Sequence, residues 1–277
     1  MLELFDLLFT NPITNILVAF YQLLSLVNAP YALALAIVLL TAVIKLLLWP
    51  FVTTQIKSMT QMQKITPHMS ALKEKHKGDK IKLNEEMMKL YKEHGVNPAA
   101  GCLPLLIQMP VIFALYNALI YIVAAQSMTE INKINSILYF DFLHLKHVWD
   151  ATLFTLPLAG SPMDLFSDFP IVFLVPLITG VLQFVLSKMM MPEVPIKTNK
   201  DDFQTAFQTQ SLYIFPIMIG FFSFTFPIGL SLYWNTFSLF GILQQYLLVG
   251  PGGAKPLFDK VKRVQNKQKV ATVKNKK

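Results

Sequence analysis

The sequence predicts an all-α, polytopic membrane protein: five transmembrane helices, N-terminus outside and C-terminus in the cytoplasm, with a cytoplasmic amphipathic helical hairpin. Three observations carry this. Of 277 residues, 54% are hydrophobic and only 14% charged, whereas a soluble domain carries about a quarter charged residues. Several apolar windows reach the roughly 20 residues that a helix needs to cross about 30 Å of hydrocarbon. The positive residues behind the net charge of +8 sit in blocks between and after those windows, so topology explains them before nucleic acid does.

Residues 1–29 form the first segment. The opening MLELFDLLFTNP carries Glu3 and Asp6 where a cleavable leader carries Lys or Arg, so no signal peptide is expected. In 11–27, Asn11, Thr14, Asn15, Gln22 and Ser25 fall in one narrow arc at 100° per residue. An amphipathic helix on the outer membrane interface fits that arc better than a sixth span.

Residues 30–249 hold the five-span core. The spans are expected over Ala32–Val52, Leu103–Ala124, Phe169–Ser187, Leu212–Phe226 and Ile228–Val249, the fourth starting as early as Phe207. The last two are joined by the tight turn Phe226-Pro227-Ile228-Gly229 and make an antiparallel hairpin. Pro104, Pro110, Pro176 and Pro216 fall in or near spans, where membrane helices tolerate them.

Between the first two spans, Ile56, Met59, Met62, Ile65, Met69 and Leu72 recur at three- and four-residue spacing, as do Leu83, Met87, Leu90 and Tyr91. Lys77-Gly78-Asp79 interrupts the pattern and Gly95 followed by Asn97-Pro98 ends it, which predicts a two-helix hairpin within 54–96 whose first helix Pro67 kinks or divides. The 126–168 loop is longer and has no assigned role.

Orientation follows from the lysines. Nine lie between Thr54 and Ala100; eight, with Arg263, follow Val249; Lys188, Lys197 and Lys200 follow the third span. The 126–168 loop has only Lys133 and Lys146 against Glu130, Asp141, Asp150, Asp164 and Asp168. Five spans put the lysine-rich segments, including the basic tail 250–277, on the cytoplasmic side of a bacterial cytoplasmic membrane.

Lys45 lies in a span whose only other clearly polar residue is Thr41, one turn away on the same face. Lysine at mid-span costs on the order of 2.5–3.5 kcal/mol on insertion scales. One reading is snorkelling to the inner interface, with Leu46–Leu48 covering the stem. The other is a watery recess inside the bundle. Gln108, Gln183 and the pair Gln244-Gln245 sit in the cytoplasmic halves of three other spans. Singly, each suits a helix–helix hydrogen bond; together they suggest a polar recess open to the cytoplasm.

Other chemistries are disfavoured. Cys102 is the only cysteine, the histidines lack metal-ligand spacing, no G-x-x-x-x-G-K-[ST] loop occurs, and the spans contain no acidic residue for a catalytic pair. No enzyme activity, cofactor or metal is expected.

The run NPAAGCLPLLIQMPVIFALYNAL (97–119) resembles the second core helix of the YidC/Oxa/Alb membrane protein insertases; FPIGLSLYWNTFSLFGILQQYLL (226–248) resembles their last, and TAVIKLLLWPF (41–51) their first. The resemblance covers roughly 30–277 and matches a short bacterial form without a large periplasmic domain. It implies an insertase and chaperone of protein transport, with a hydrophilic groove open to cytoplasm and lipid but closed outside. A positive residue there attracts hydrophilic segments of nascent membrane proteins. By motif position Thr41, Gln108, Tyr233 and Trp234 line the groove or meet substrate, with Gln183 and Lys45; the aromatic pair equally suits packing. Relatives usually carry arginine where this chain has Lys45, and lysine lacks arginine's planar fork. The implied partners are nascent chains, the ribosome through the basic tail, the Sec translocon and anionic lipids; the tail alone reads equally as a topogenic segment held near lipid. The alternative is a small-solute or ion transporter using Lys45 as an anion or proton site.

Overall fold

The computed structural model of the chain describes residues 2–96, 103–193 and 210–260. The described residues are mostly helical. Helix α1 (Leu2–Phe5) runs through a π-helical turn, Asp6–Thr10, into α2 (Asn11–Leu26). Then come α3 (Ala32–Lys75), α4 (Lys80–Glu93), α5 (Leu103–Ala124), α6 (Met128–Asn135), α7 (Pro162–Leu165), α8 (Leu174–Met189), α9 (Phe215–Phe222) and α10 (Ile228–Val249). Among the described residues the one ladder is a minimal hairpin, β1 (Thr152–Leu153) against β2 (Leu156–Pro157). Three helices among the described residues are long and apolar enough to cross a membrane: Glu3–Leu26, Ala32–Lys75 and Pro170–Met189. Met109–Ala124 and Leu212–Phe222 are shorter apolar helices. The early start of the fourth span, near Phe207, falls outside the described residues.

The chain divides into two compact units. The first comprises Met1–Val52, Cys102–Gln183 and Phe215–Phe240. Its core joins Leu17 and Val18 of α2, Leu33, Ile37 and Leu40 of α3, Leu115, Leu119 and Ile122 of α5, and Tyr233 of α10. Leu177, Ile178, Val181, Ile217 and Phe221 are exposed. Apolar surface of that extent has no place in water and suits hydrocarbon.

The polar arc of 11–27 turns to protein. Asn15 Nδ2 donates to Ile137 O and its Oδ1 accepts from Tyr139 N at 2.7 Å. Gln22 Nε2 donates to Leu143 O. These amides fasten the 126–168 loop to α2. Within the loop Ser127 and Glu130 form a reciprocal capping box that starts α6, and the Gln126 backbone N–H, followed by the Ser127 hydroxyl, holds the Glu130 carboxyl below its usual range. Trp149 Nε1 donates to Ile122 O at the end of α5.

The loop also finishes α10. The first N–H groups of a helix have no partner within it, and in hydrocarbon an unpaired one costs several kcal/mol. Here Ile228 N donates to Gly160 O and Gly229 N to Leu158 O. Leu158 is fully buried. A Cβ on Gly229 would come within 3.1 Å of Val123 Cγ1 and 3.5 Å of Leu158 O, so glycine admits the loop.

The second unit comprises Thr53–Gly101, Phe184–Ile214 and Gly241–Lys277. The expected helical hairpin is there, but its first helix is the extension of α3 and Pro67 does not divide it. Proline deletes one helical hydrogen bond and crowds the carbonyl four residues back. Flanking contacts hold the helix together: Thr66 Oγ1 and Ser70 Oγ donate to carbonyls one turn back, while Ile65 and Met69 pack on Leu90 and Val96. Gln63 Nε2, Gln245 Nε2 and Gly253 N donate to the carbonyls of Met190, Met189 and Met191, beside a cleft of about 680 Å³.

Candidate functional site

The site is built in the first unit from α3, α8 and α10. On α3, Ile37, Thr41 and Lys45 follow at four-residue spacing and share one face. All three are buried; Lys45 is 5% exposed while Leu46 and Leu47 are 59% and 68% exposed. The charge is therefore inside and its leucine neighbours outside, which rules out the snorkelling arrangement with Leu46–Leu48 along the stem. Thr41 Oγ1 donates to Ile37 O at 2.7 Å. Its proton is thus committed to its own helix, and the contacting partner of Lys45 lies on another.

That partner is aromatic. The Lys45 ammonium lies 3.2 Å from the centroid of the Phe237 ring, within the range of a cation–π contact. Among the described residues no carboxylate forms an ion pair with Lys45. Tyr233, one turn earlier on α10 and 1% exposed, sets the Phe237 ring, with centroids 5.9 Å apart and planes at 48°.

A second polar group sits between α8 and α10. Gln183 Oε1 accepts from Trp234 Nε1 at 3.2 Å and from Ser238 Oγ at 3.5 Å. Gln183 and Ser238 are buried. Asn235 Oδ1 is buried with no hydrogen-bond partner, an acceptor left unsatisfied by the protein.

Of the residues expected from sequence, Lys45 and Tyr233 meet through Phe237, and Gln183 and Trp234 meet directly. Thr41 is adjacent along α3. The side chain of Gln108 lies outside the described residues. Within the second unit Gln244 Nε2 donates to Thr53 Oγ1 and Gln245 Nε2 to Met189 O, both at 3.3 Å. Sequence reasoning missed Phe237, Ser238 and Asn235; the signal available was α10's polar spacing, Ser231, Asn235 and Ser238 at four and three residues. Nothing local marked Phe237.

The arrangement sets a buried lysine amine on an aromatic ring, with no carboxylate paired to it among the described residues. It offers no nucleophile–base pair, and no group of three metal-ligating residues occurs among the described residues.

Residues 16–251 match the profile of the family described as 60Kd inner membrane protein. The chain is 35% identical over 215 residues to the membrane protein insertase YidC of Maridesulfovibrio salexigens, covering 78% of this chain and 34% of that one. It is 36% identical over 221 residues to the membrane protein insertase MisCA of Bacillus subtilis, covering 78% of this chain and 70% of that one. A crystal structure of active YidC insertase with its first transmembrane domain resolved superposes with a TM-score of 0.51 at 27% identity, covering 84% of this chain and 44% of the other. The chain spans about a third of the length of the Maridesulfovibrio relative.

Proposed function

Because the chain belongs to the 60Kd inner membrane protein family, we propose that it is a membrane protein insertase and chaperone that assists nascent membrane proteins into the bilayer without catalysing a reaction. The observation that carries this is the buried Lys45 ammonium, set on an aromatic face and without an acidic partner among the described residues. The relatives compared are insertases by name, which supports this reading over a solute or ion transporter.

In this proposal Lys45, Thr41, Gln108, Gln183, Tyr233 and Trp234 line a recess open to the cytoplasm. Five spans thread the bacterial cytoplasmic membrane, N-terminus outside and C-terminus inside. Residues 1–29 lie at the outer interface, 30–249 form the core and 250–277 the basic cytoplasmic tail. The tail meets anionic lipid and the ribosome, an attraction that weakens with salt; the Sec translocon is a further partner.

The work divides between two terms. Carrying a polar segment through hydrocarbon is costly, and a hydrated recess shortens the dry path. Burying the apolar span of the substrate supplies the favourable term, about 0.8 kcal/mol per CH₂. The test is reconstitution of the purified protein into liposomes with a short single-span substrate, scoring the protease-protected fraction. Protected substrate above the protein-free background supports the proposal. Insertion equal to that background ends it.

A further inference from the structure

Lys45 is held by a group that cannot cancel it. The ammonium rests 3.2 Å from the Phe237 ring centroid, and the predicted spans contain no Asp or Glu. A carboxylate in this place would make a stronger, charge-assisted contact, leaving the recess neutral and competing with any incoming anion. A benzene ring attracts the cation through its quadrupole and carries no net charge. It therefore fixes the long, flexible lysine stem without placing a counter-charge on the amine. The ring is itself fixed: Tyr233, buried one turn away, packs against it with centroids 5.9 Å apart. The Thr41 hydroxyl proton is committed to the Ile37 carbonyl of its own helix.

Building on the insertase reading, we propose that Phe237 is the positioning residue of this site: a neutral placeholder that holds the Lys45 ammonium in the recess until a carboxylate of the incoming segment replaces the ring. Phe237 then sets selectivity. An acidic hydrophilic tail gains the stronger partner and displaces the ring, whereas an uncharged tail of the same length gains nothing from Lys45. Without the ring the stem is free to turn towards water, and the carboxylate loses a pre-placed charge.

The experiment uses the full chain in liposomes and two single-span substrates that differ only in one tail residue, Asp or Asn. The measured quantity is the ratio of Asp-tail to Asn-tail insertion. In the wild type the ratio exceeds one, and in Lys45→Ala it falls to one. Phe237→Leu is expected to lower it towards one by losing the pre-placed charge, at an unchanged melting temperature. Phe237→Tyr, which keeps the π face, restores it. An unchanged ratio in Phe237→Leu overturns the placeholder role, as does an equal loss for both tails, which marks a packing defect. A wild-type ratio of one, or a ratio unaltered in Lys45→Ala, overturns the inference by removing Lys45 from tail recognition. Insertion no better than protein-free liposomes instead defeats the insertase reading itself.

Discussion

At the scale of the residue, Lys45 is a stability liability retained at a specific place. Its depth in an apolar helix could be read from the sequence because a charge among leucines stands out at any register. Its direction could not. The contrast between a buried Lys45 and the exposed Leu46 and Leu47 depends on which face of α3 meets the bundle. Phe237 was less legible still, since one phenylalanine among 22 carries no local mark and becomes informative only when α10 is laid against α3. Lys45→Met keeps the length of the stem and removes the charge. It is expected to stabilise the detergent-purified protein by at most about 2.5–3.5 kcal/mol, the mid-span cost of lysine, read as a higher melting temperature, while lowering insertion of an acidic-tail substrate. Opposite movement of stability and activity is the signature of a group kept for function. A fall in both would mean that Lys45 supports the fold.

At the scale of the element, α8 and α9 carry the same five-residue signature. Pro176 and Gly180 on one answer Pro216 and Gly220 on the other. A Cβ on Gly220 would meet Gly180 Cα at 3.3 Å and Pro176 O at 3.5 Å; one on Gly180 would meet Gly220 Cα and Pro216 O at 3.6 Å. Each glycine thus faces its partner's glycine and proline carbonyl, and close backbone approach takes the place of large side chains, as in small-x-x-x-small contacts. Ser223 and Thr179 add a hydroxyl contact between these helices, at 3.4 Å. The sequence displayed the prolines as tolerated oddities; their pairing with glycine needed the antiparallel register. Gly180→Ala, at an ordinary contact distance, is expected to be tolerated. Gly220→Val overpacks the tighter side and is expected to destabilise by about 1–3 kcal/mol, read as loss of melting temperature in detergent. Equal tolerance of both would show that the helices separate freely.

At the scale of the whole molecule, the apolar helices and the hairpin followed from length and periodicity, signals carried within single segments. The 126–168 loop did not. Its order comes from pairings across more than a hundred residues, such as Asn15 with Ile137 and Tyr139, and from backbone carbonyls that complete the start of α10. No composition signal encodes those. The polar arc of 11–27 was visible as an arc, but its partner, a loop rather than water, was not.

The central claim is that the recess around Lys45 receives the hydrophilic segment of a substrate. Disulfide mapping tests it most directly, with Thr41→Cys one turn from Lys45 in a Cys102→Ser background and single cysteines moved along a stalled single-span substrate. Adducts are expected with cysteines in the hydrophilic tail and none with cysteines in the middle of the apolar span. Adducts confined to the apolar span, or none at any position in a variant that still inserts substrate, would contradict it.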